Sequence, residues 1–249
     1  MQGSRITRMG ATSGEKCVVS VASRDRGNQS QDGIYVIALF LLVSPFYLND
    51  FANIYIKDWR VWLFIDYTSV KLFPLLVVLW LIRGRSMPAS EFGLAPQPLP
   101  SFLAVFLLTA LVGTLLDQNA YTLIEKLPGY AALAAMPEIA SPAWNWIDLT
   151  LGLLAVGVCE ELVFRGYMHT FLRRYTQSRF TIVLISSVAF GLIHWSAGLH
   201  VVLVASAIGA MLMIAYMSTK SLPAITLAHF AVNFIDYAGV IPKSLFKFI

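Results

Sequence analysis

The sequence predicts an all-α fold, a polytopic membrane helical bundle of about seven to eight transmembrane helices. Three observations predict it. The 249 residues are 57% hydrophobic and only 13% charged, roughly half the charged fraction of a soluble domain. Mean hydropathy is +0.69. Long apolar runs recur along the chain with short polar segments between them. The chain therefore reads as an integral membrane protein, and its length suits one bundle.

Residues 1–33 are polar throughout and are expected to form a flexible tail. No apolar h-region lies near the start, so no signal peptide is expected; an early start codon would account for the extension. Residues 34–145 read as an N-terminal transmembrane region. Its first run, residues 34–48, is short for a crossing, which needs about 20 apolar residues. The second, residues 61–82, contains Asp66 and Lys71, and Pro74 is placed to kink it. Residues 83–100 are a Pro-rich loop with two arginines, and the third span covers 101–116. Residues 117–145, with Pro128, Pro137 and Pro142, suggest an interfacial helix or re-entrant piece instead of a span. Residues 146–240 form the transmembrane core. A helix from Trp146 to about Leu172 is followed by spans near 180–195, 200–217 and 222–240, and a short tail covers 241–249.

The formal net charge is +4. The Lys and Arg residues lie mainly in the gaps between apolar runs, which speaks for membrane orientation and against a nucleic-acid partner. With seven spans, the basic tail, the 83–85 loop, the 173–179 loop and Lys220 fall on one side. The positive-inside rule makes that side cytoplasmic. The N-terminus is then inside and the C-terminus outside, in a multi-pass protein expected in a bacterial inner membrane. The two cysteines, Cys17 in the tail and Cys159 in an apolar helix, are not expected to pair, and no CxxC or Cys/His cluster suggests zinc.

Charges inside the core mark candidate chemistry, because burying them in a membrane is costly. "GVCEELVFRGY", residues 157–167, places Glu160 beside Glu161. Glu161 and Arg165 are four apart and share a helix face, so an ion pair is expected. Glu160 points about 100° away from Glu161. Burial beside a second carboxylate is how a site obtains a carboxylate that cycles a proton near neutral pH, as a general base or acid must. On other helices stand His194, ending "AFGLIHW", and His229 with Asn233 four residues on. These polar groups are expected to converge in one cavity. His169 reads as interfacial, His200 as an outer-surface residue and Cys159 as a packing residue. Glu160, His194 and His229 also have the donor atoms of a zinc site, although no HExxH is present. The GxSG of rhomboid-type and the GxGD of presenilin-type intramembrane proteases are absent too.

Glu160-Glu161-x-x-x-Arg165, Phe190-x-x-x-His194 and His229-x-x-x-Asn233, in this order on three apolar helices, resemble the CAAX protease and bacteriocin-processing (CPBP) family of intramembrane glutamic endopeptidases. The resemblance covers roughly residues 146–240. It implies a helical bundle with its active site in a cavity open to the cytoplasmic side. It implies that Glu160 activates a water molecule assisted by His194, that His229 and Asn233 stabilise the oxyanion, and that Glu161 and Arg165 support the site. The expected function is cleavage of a peptide bond in a membrane-anchored or lipid-modified protein tail. No cofactor is expected, with zinc as the alternative. The expected partners are a membrane-anchored protein or peptide substrate and the lipid bilayer. A non-enzymatic scaffold or immunity protein of the same fold and a proton-coupled transporter remain the alternative functions.

Overall fold

The computed structural model describes residues 13–84 and 87–248, with side chains from residue 33 onward. The chain divides into two units, Met1–Ala38 and Leu39–Ile249. In the first, residues 13–38 are the leading part of one long helix, α1 (Ser13–Tyr55). Residues 1–12 of the expected flexible tail lie outside the described residues. Residues 13–33 are helical where irregular chain was expected. No proline precedes Pro45 in α1, so the sequence removes no backbone donor from the helix upstream of the apolar run.

The second unit is all-helical among the described residues. After α1 come α2 (Trp59–Arg83), α3 (Leu99–Ile124), α4 (residues 142–173), α5 (Arg179–Leu192), α6 (Leu199–Thr219) and α7 (Leu222–Ala238). Among the described residues four helices are long and apolar enough to cross a membrane: α2, α3, α6 and the Gly33–Tyr55 part of α1. The helix starts follow from local chemistry. Asp58 caps α2 by accepting from the Arg60 N–H at 2.8 Å, and Ser178 caps α5 by accepting from the Thr181 N–H at 3.2 Å. Pro100, Pro142 and Pro223 each occupy the first turn of a helix, where a missing N–H removes no intrahelical bond.

Helix α3 is longer than the 101–116 span expected, and residues 125–141 carry no helix. The polar run Asp117-Gln118-Asn119 ends the hydropathy signal but not the helix. Gln118 is 8% exposed, so this polarity faces the interior and not an aqueous loop. Pro74 does not break α2 either. A π-turn, Tyr67–Leu72, lies immediately before it and takes up the register change that a residue without an N–H imposes.

Hydrogen bonds hold each end of the bundle. At one end the 87–98 loop folds onto α4, α6 and α7. Thr170 and Tyr216 both donate to the Glu91 carbonyl at 3.2 Å, Gln97 donates to the Thr219 carbonyl at 2.8 Å, and the Leu222 N–H donates to the Gly93 carbonyl at 3.2 Å. This end carries Arg83, Arg173, Arg179 and Lys220. Met87, Phe92, Phe164, Tyr167, Met213 and Tyr216 are fully buried behind it. At the other end Trp195 donates to the Tyr47 carbonyl at 3.0 Å, the Ser196 N–H donates to Asp50 at 2.6 Å, and the 125–141 segment is tied by Leu133 N–H to Ser196 O at 2.8 Å and Leu199 N–H to Tyr130 O at 3.1 Å.

Helices α5 and α6 approach closely at Gly191. A Cβ there would overlap Ser206 Oγ and come within 2.5 Å of the Val202 carbonyl oxygen. At Gly157 in α4 the nearest atom to such a Cβ is Thr226 O at 3.8 Å. Gly191→Ala is therefore expected to lower stability by about 1–3 kcal/mol through overpacking, while Gly157→Ala stays close to the parent protein. Thermal melts of the two detergent-purified variants check this; equal midpoints would contradict the packing described.

Candidate active site

Helix α4 positions the two glutamates. Residues 153–161 are regular α-helix, and a π-turn, Leu162–Tyr167, begins directly after Glu161. Such wide turns recur at functional sites. Glu161 and Arg165 are both 0% exposed, and Arg165 Nη1 lies 3.0 Å from Glu161 Oε1. The expected i, i+4 pair is present. The guanidinium also lies over the Phe190 ring, 4.1 Å from its centroid, and Nη2 donates to the Gly209 carbonyl at 3.4 Å.

His229 of α7 links the two carboxylates. Its Nδ1 stands 2.8 Å from Glu161 Oε1 and its Nε2 stands 3.6 Å from Glu160 Oε2. An ionised carboxylate only accepts, so the short contact assigns the donor hydrogen to Nδ1 and leaves Nε2 facing Glu160. The result is a buried chain, Arg165–Glu161–His229–Glu160. Phe190 packs edge-on against His194, with centroids 5.6 Å apart, and against His229 at 5.8 Å. It thus holds both imidazoles and the guanidinium around one ring.

Glu160, His194, His229 and Asn233 all line one cavity of about 1000 Å³. The convergence expected from spacing is therefore present, although only the Glu160–His229 pair stands near contact distance. Two further polar clusters line the same cavity, and the sequence analysis assigned neither a role. In the first, Lys71 is ion-paired to Asp66 and lies 4.2 Å from the Tyr67 ring centroid. The Tyr67 hydroxyl donates to Asp148 at 3.0 Å. Asp66 and Lys71 are five apart; Asp66 precedes the π-turn of α2 and Lys71 lies within it. A search at helical spacings of three and four does not find such a pair. In the second cluster Gln118 donates to Asp117 at 2.6 Å and to Asp236 at 3.2 Å, and Lys243 is paired with Asp236 at 2.6 Å. Their charge was the only signal in the sequence.

The remaining candidates lie elsewhere or serve packing. His169, read as interfacial, is 7% exposed and stands 2.9 Å from Lys220 Nζ at the basic end. His200 bonds the Leu127 carbonyl at 2.8 Å. Cys159 donates its thiol to the Lys71 carbonyl at 3.0 Å, tying α4 to α2.

The cavity is rimmed by exposed Glu125, Met136, Glu138 and Lys247. This rim lies at the end of the bundle opposite Arg83, Arg173, Arg179 and Lys220. The resemblance implied a cavity open to the cytoplasmic side, and the charge pattern placed those basic loops on that side. The geometry does not allow both. The physical reason is the packed 87–98 loop, whose Phe92 lies against Gly166 of α4 and closes the basic end.

Residues 142–235 match the family described as Type II CAAX prenyl endopeptidase Rce1-like. No curated protein and no solved structure matches the chain. The matched segment contains the six site residues singled out from the sequence: Glu160, Glu161 and Arg165 on α4, His194 just after α5, and His229 and Asn233 on α7. The cavity is not built by that segment alone, because α2 contributes Asp66 and Lys71 and α3 contributes Asp117 and Gln118.

Removing the guanidinium should be costly. Arg165→Ala leaves Glu161 buried with one of its two partners, and breaking a buried pair costs about 3–5 kcal/mol. The expected outcome is a lower melting midpoint and lower membrane abundance, read by thermal melt and quantitative immunoblot. A variant with parental abundance and midpoint would show that the pair does not hold the site.

Proposed function

We propose that the protein is an intramembrane endopeptidase that hydrolyses a peptide bond in a membrane-anchored or lipid-modified protein tail, with Glu160 activating the attacking water. The observation that carries this reading is the buried Glu160–His229 pair, 3.6 Å apart, at the wall of a cavity large enough for a peptide and water. The Rce1-like family supports CAAX intramembrane protease activity in general, and its description as a prenyl endopeptidase favours a lipid-modified tail.

In this reading Glu160 takes a proton from a cavity water as the water oxygen attacks the scissile carbonyl carbon. The carbonyl π electrons move to oxygen, and the oxyanion needs donors. Asn233 supplies an amide N–H. His229 supplies a second donor through Nε2–H, since its Nδ1 already donates to Glu161. Collapse of the intermediate breaks the C–N bond, and the proton held by Glu160 passes to the leaving amine. His194, on the wall of the same cavity, assists Glu160. Glu161 and Arg165 fix the tautomer and position of His229.

A catalytic zinc takes three protein ligands and a water. Glu160 and His229 offer two adjacent donors, and among the described residues no group of three His, Cys, Asp or Glu is placed to hold a metal. The donor set does not fit such a site, and we propose catalysis by the side chains alone.

Glu160→Gln keeps the side-chain volume but cannot take the proton. Hydrolysis of a tail peptide by the purified protein should fall by about 10² to 10⁴ with the fold retained. Asn233→Ala should slow the reaction by about 10² to 10³, the loss expected for one oxyanion donor. Wild-type cleavage should survive a chelator. Full activity of Glu160→Gln would overturn the glutamate mechanism. Activity abolished by the chelator and restored by zinc would overturn the metal-free one.

A further inference from the structure

We propose that residues 240–248 form a strap across the mouth of the active-site cavity, and that a substrate tail enters when the strap lifts. Its consequence for cleavage rests on the endopeptidase reading; the strap itself is defined by its contacts. Helix α7 runs from the site to the mouth. His229, Asn233 and Asp236 all line the cavity, and their spacings of four and seven keep them on one helix face. The helix ends at Gly239, which takes the left-handed conformation at φ 64°, a common way for a helix to stop. The chain then turns back onto α3, where Asn119 fastens it. Asn119 Nδ2 donates to the Phe246 carbonyl at 2.7 Å, and its Oδ1 accepts from the Phe248 N–H at 2.8 Å. One primary amide thus takes a carbonyl and an N–H two residues apart, whatever side chains they carry. Lys243 Nζ makes the second fastening, 2.6 Å from Asp236 Oδ1. Lys243 and Lys247 both form part of the cavity wall.

The strap is specifically placed but lightly held. Val240, Leu245 and Phe248 are 58%, 65% and 74% exposed, so they bury little against the protein. The Lys243–Asp236 pair is also partly exposed, and such pairs contribute little. The bonds inside the strap, Leu245 N–H to Pro242 O at 3.1 Å and Phe246 N–H to Lys243 O at 3.0 Å, survive its lifting. A segment with so few buried contacts opens locally while the rest of the bundle stays folded. The opposite side of the mouth differs. The 125–141 segment is hydrogen-bonded to Ser196 and Leu199, and it packs so closely on Gly198 that a Cβ there would meet the backbone of Tyr130 and Ala132 at 3.1 Å. With the 87–98 loop closing the far end of the bundle, the strap is the wall that can move.

The test reads the strap and the cavity separately in detergent-purified full-length protein. Hydrogen exchange at residues 240–248 reads the fastening. Entry is read by labelling Val156→Cys with a water-soluble maleimide, in a Cys17→Ser background and against the rate at Cys159 alone. Val156 lines the cavity one turn before Glu160. Asn119→Ala removes both backbone bonds from a residue outside the cavity wall. It should speed exchange at 240–248 and raise the labelling rate about 5- to 30-fold, the population change that losing two ordinary hydrogen bonds brings. Lys243→Ala should move both readouts in the same direction by less, and its partly exposed site keeps the test open if Asn119→Ala fails to fold. With a tail peptide, either variant should lower KM and leave kcat at the parental value. Faster exchange with unchanged labelling would show that the strap does not bar the cavity, and exchange unchanged in both variants would show that these contacts do not hold it; either result overturns the proposal. Labelling does not depend on catalysis. If no variant cleaves the peptide, the endopeptidase reading fails and the labelling rates still decide the strap.

Discussion

Glu161 Oε1 is ion-paired to Arg165 Nη1 on its own helix at 3.0 Å and accepts from His229 Nδ1 on α7 at 2.8 Å. That doubly engaged oxygen is what the site depends on. A single carboxylate in an apolar bundle carries a large desolvation cost, and one cation with excellent geometry is needed to offset it. Here the offset also fixes the imidazole. With Nδ1 committed to Glu161, His229 has one free nitrogen, and the packing of Phe190 against it directs that nitrogen at Glu160. Two adjacent glutamates thus acquire different duties from their neighbours, since one faces the interior cation and the other faces the cavity.

The same interaction explains the irregular helix. A strictly regular α4 carries its side chains round the axis by about 100° per residue. The π-turn after Glu161 widens the helix within the segment that carries Arg165, whose guanidinium stacks on Phe190 of α5. Helix α2 carries a comparable turn opposite it, and there the wider spacing joins Asp66 to Lys71. The two helices are tied by the Cys159 thiol on the Lys71 carbonyl and by Tyr67 on Asp148. The irregularities of the two helices therefore meet around one volume.

Much of this was legible in the sequence. The apolar runs gave seven helices in the right order because hydropathy reports directly on membrane burial. The i, i+4 spacing of Glu161 and Arg165, and of His229 and Asn233, placed each pair on one face. Other features were hidden for physical reasons. The Asp66–Lys71 pair needs a π-turn, which a period of 3.6 does not encode. The C-terminal half of α3 looked like a loop because Asp117 and Gln118 break the hydropathy run, yet they face a cavity that only the assembled bundle creates. The sealing of the basic end depends on Phe92, one aromatic residue in a Pro-rich loop, and nothing in the local sequence says that it folds inward.

The solid half of the bundle also acts as an electrical insulator. Water that enters from the rim carries the potential and the acidity of that compartment down to Glu160. The fully buried aromatic residues beneath the cavity leave water one route to Glu160, from the rim.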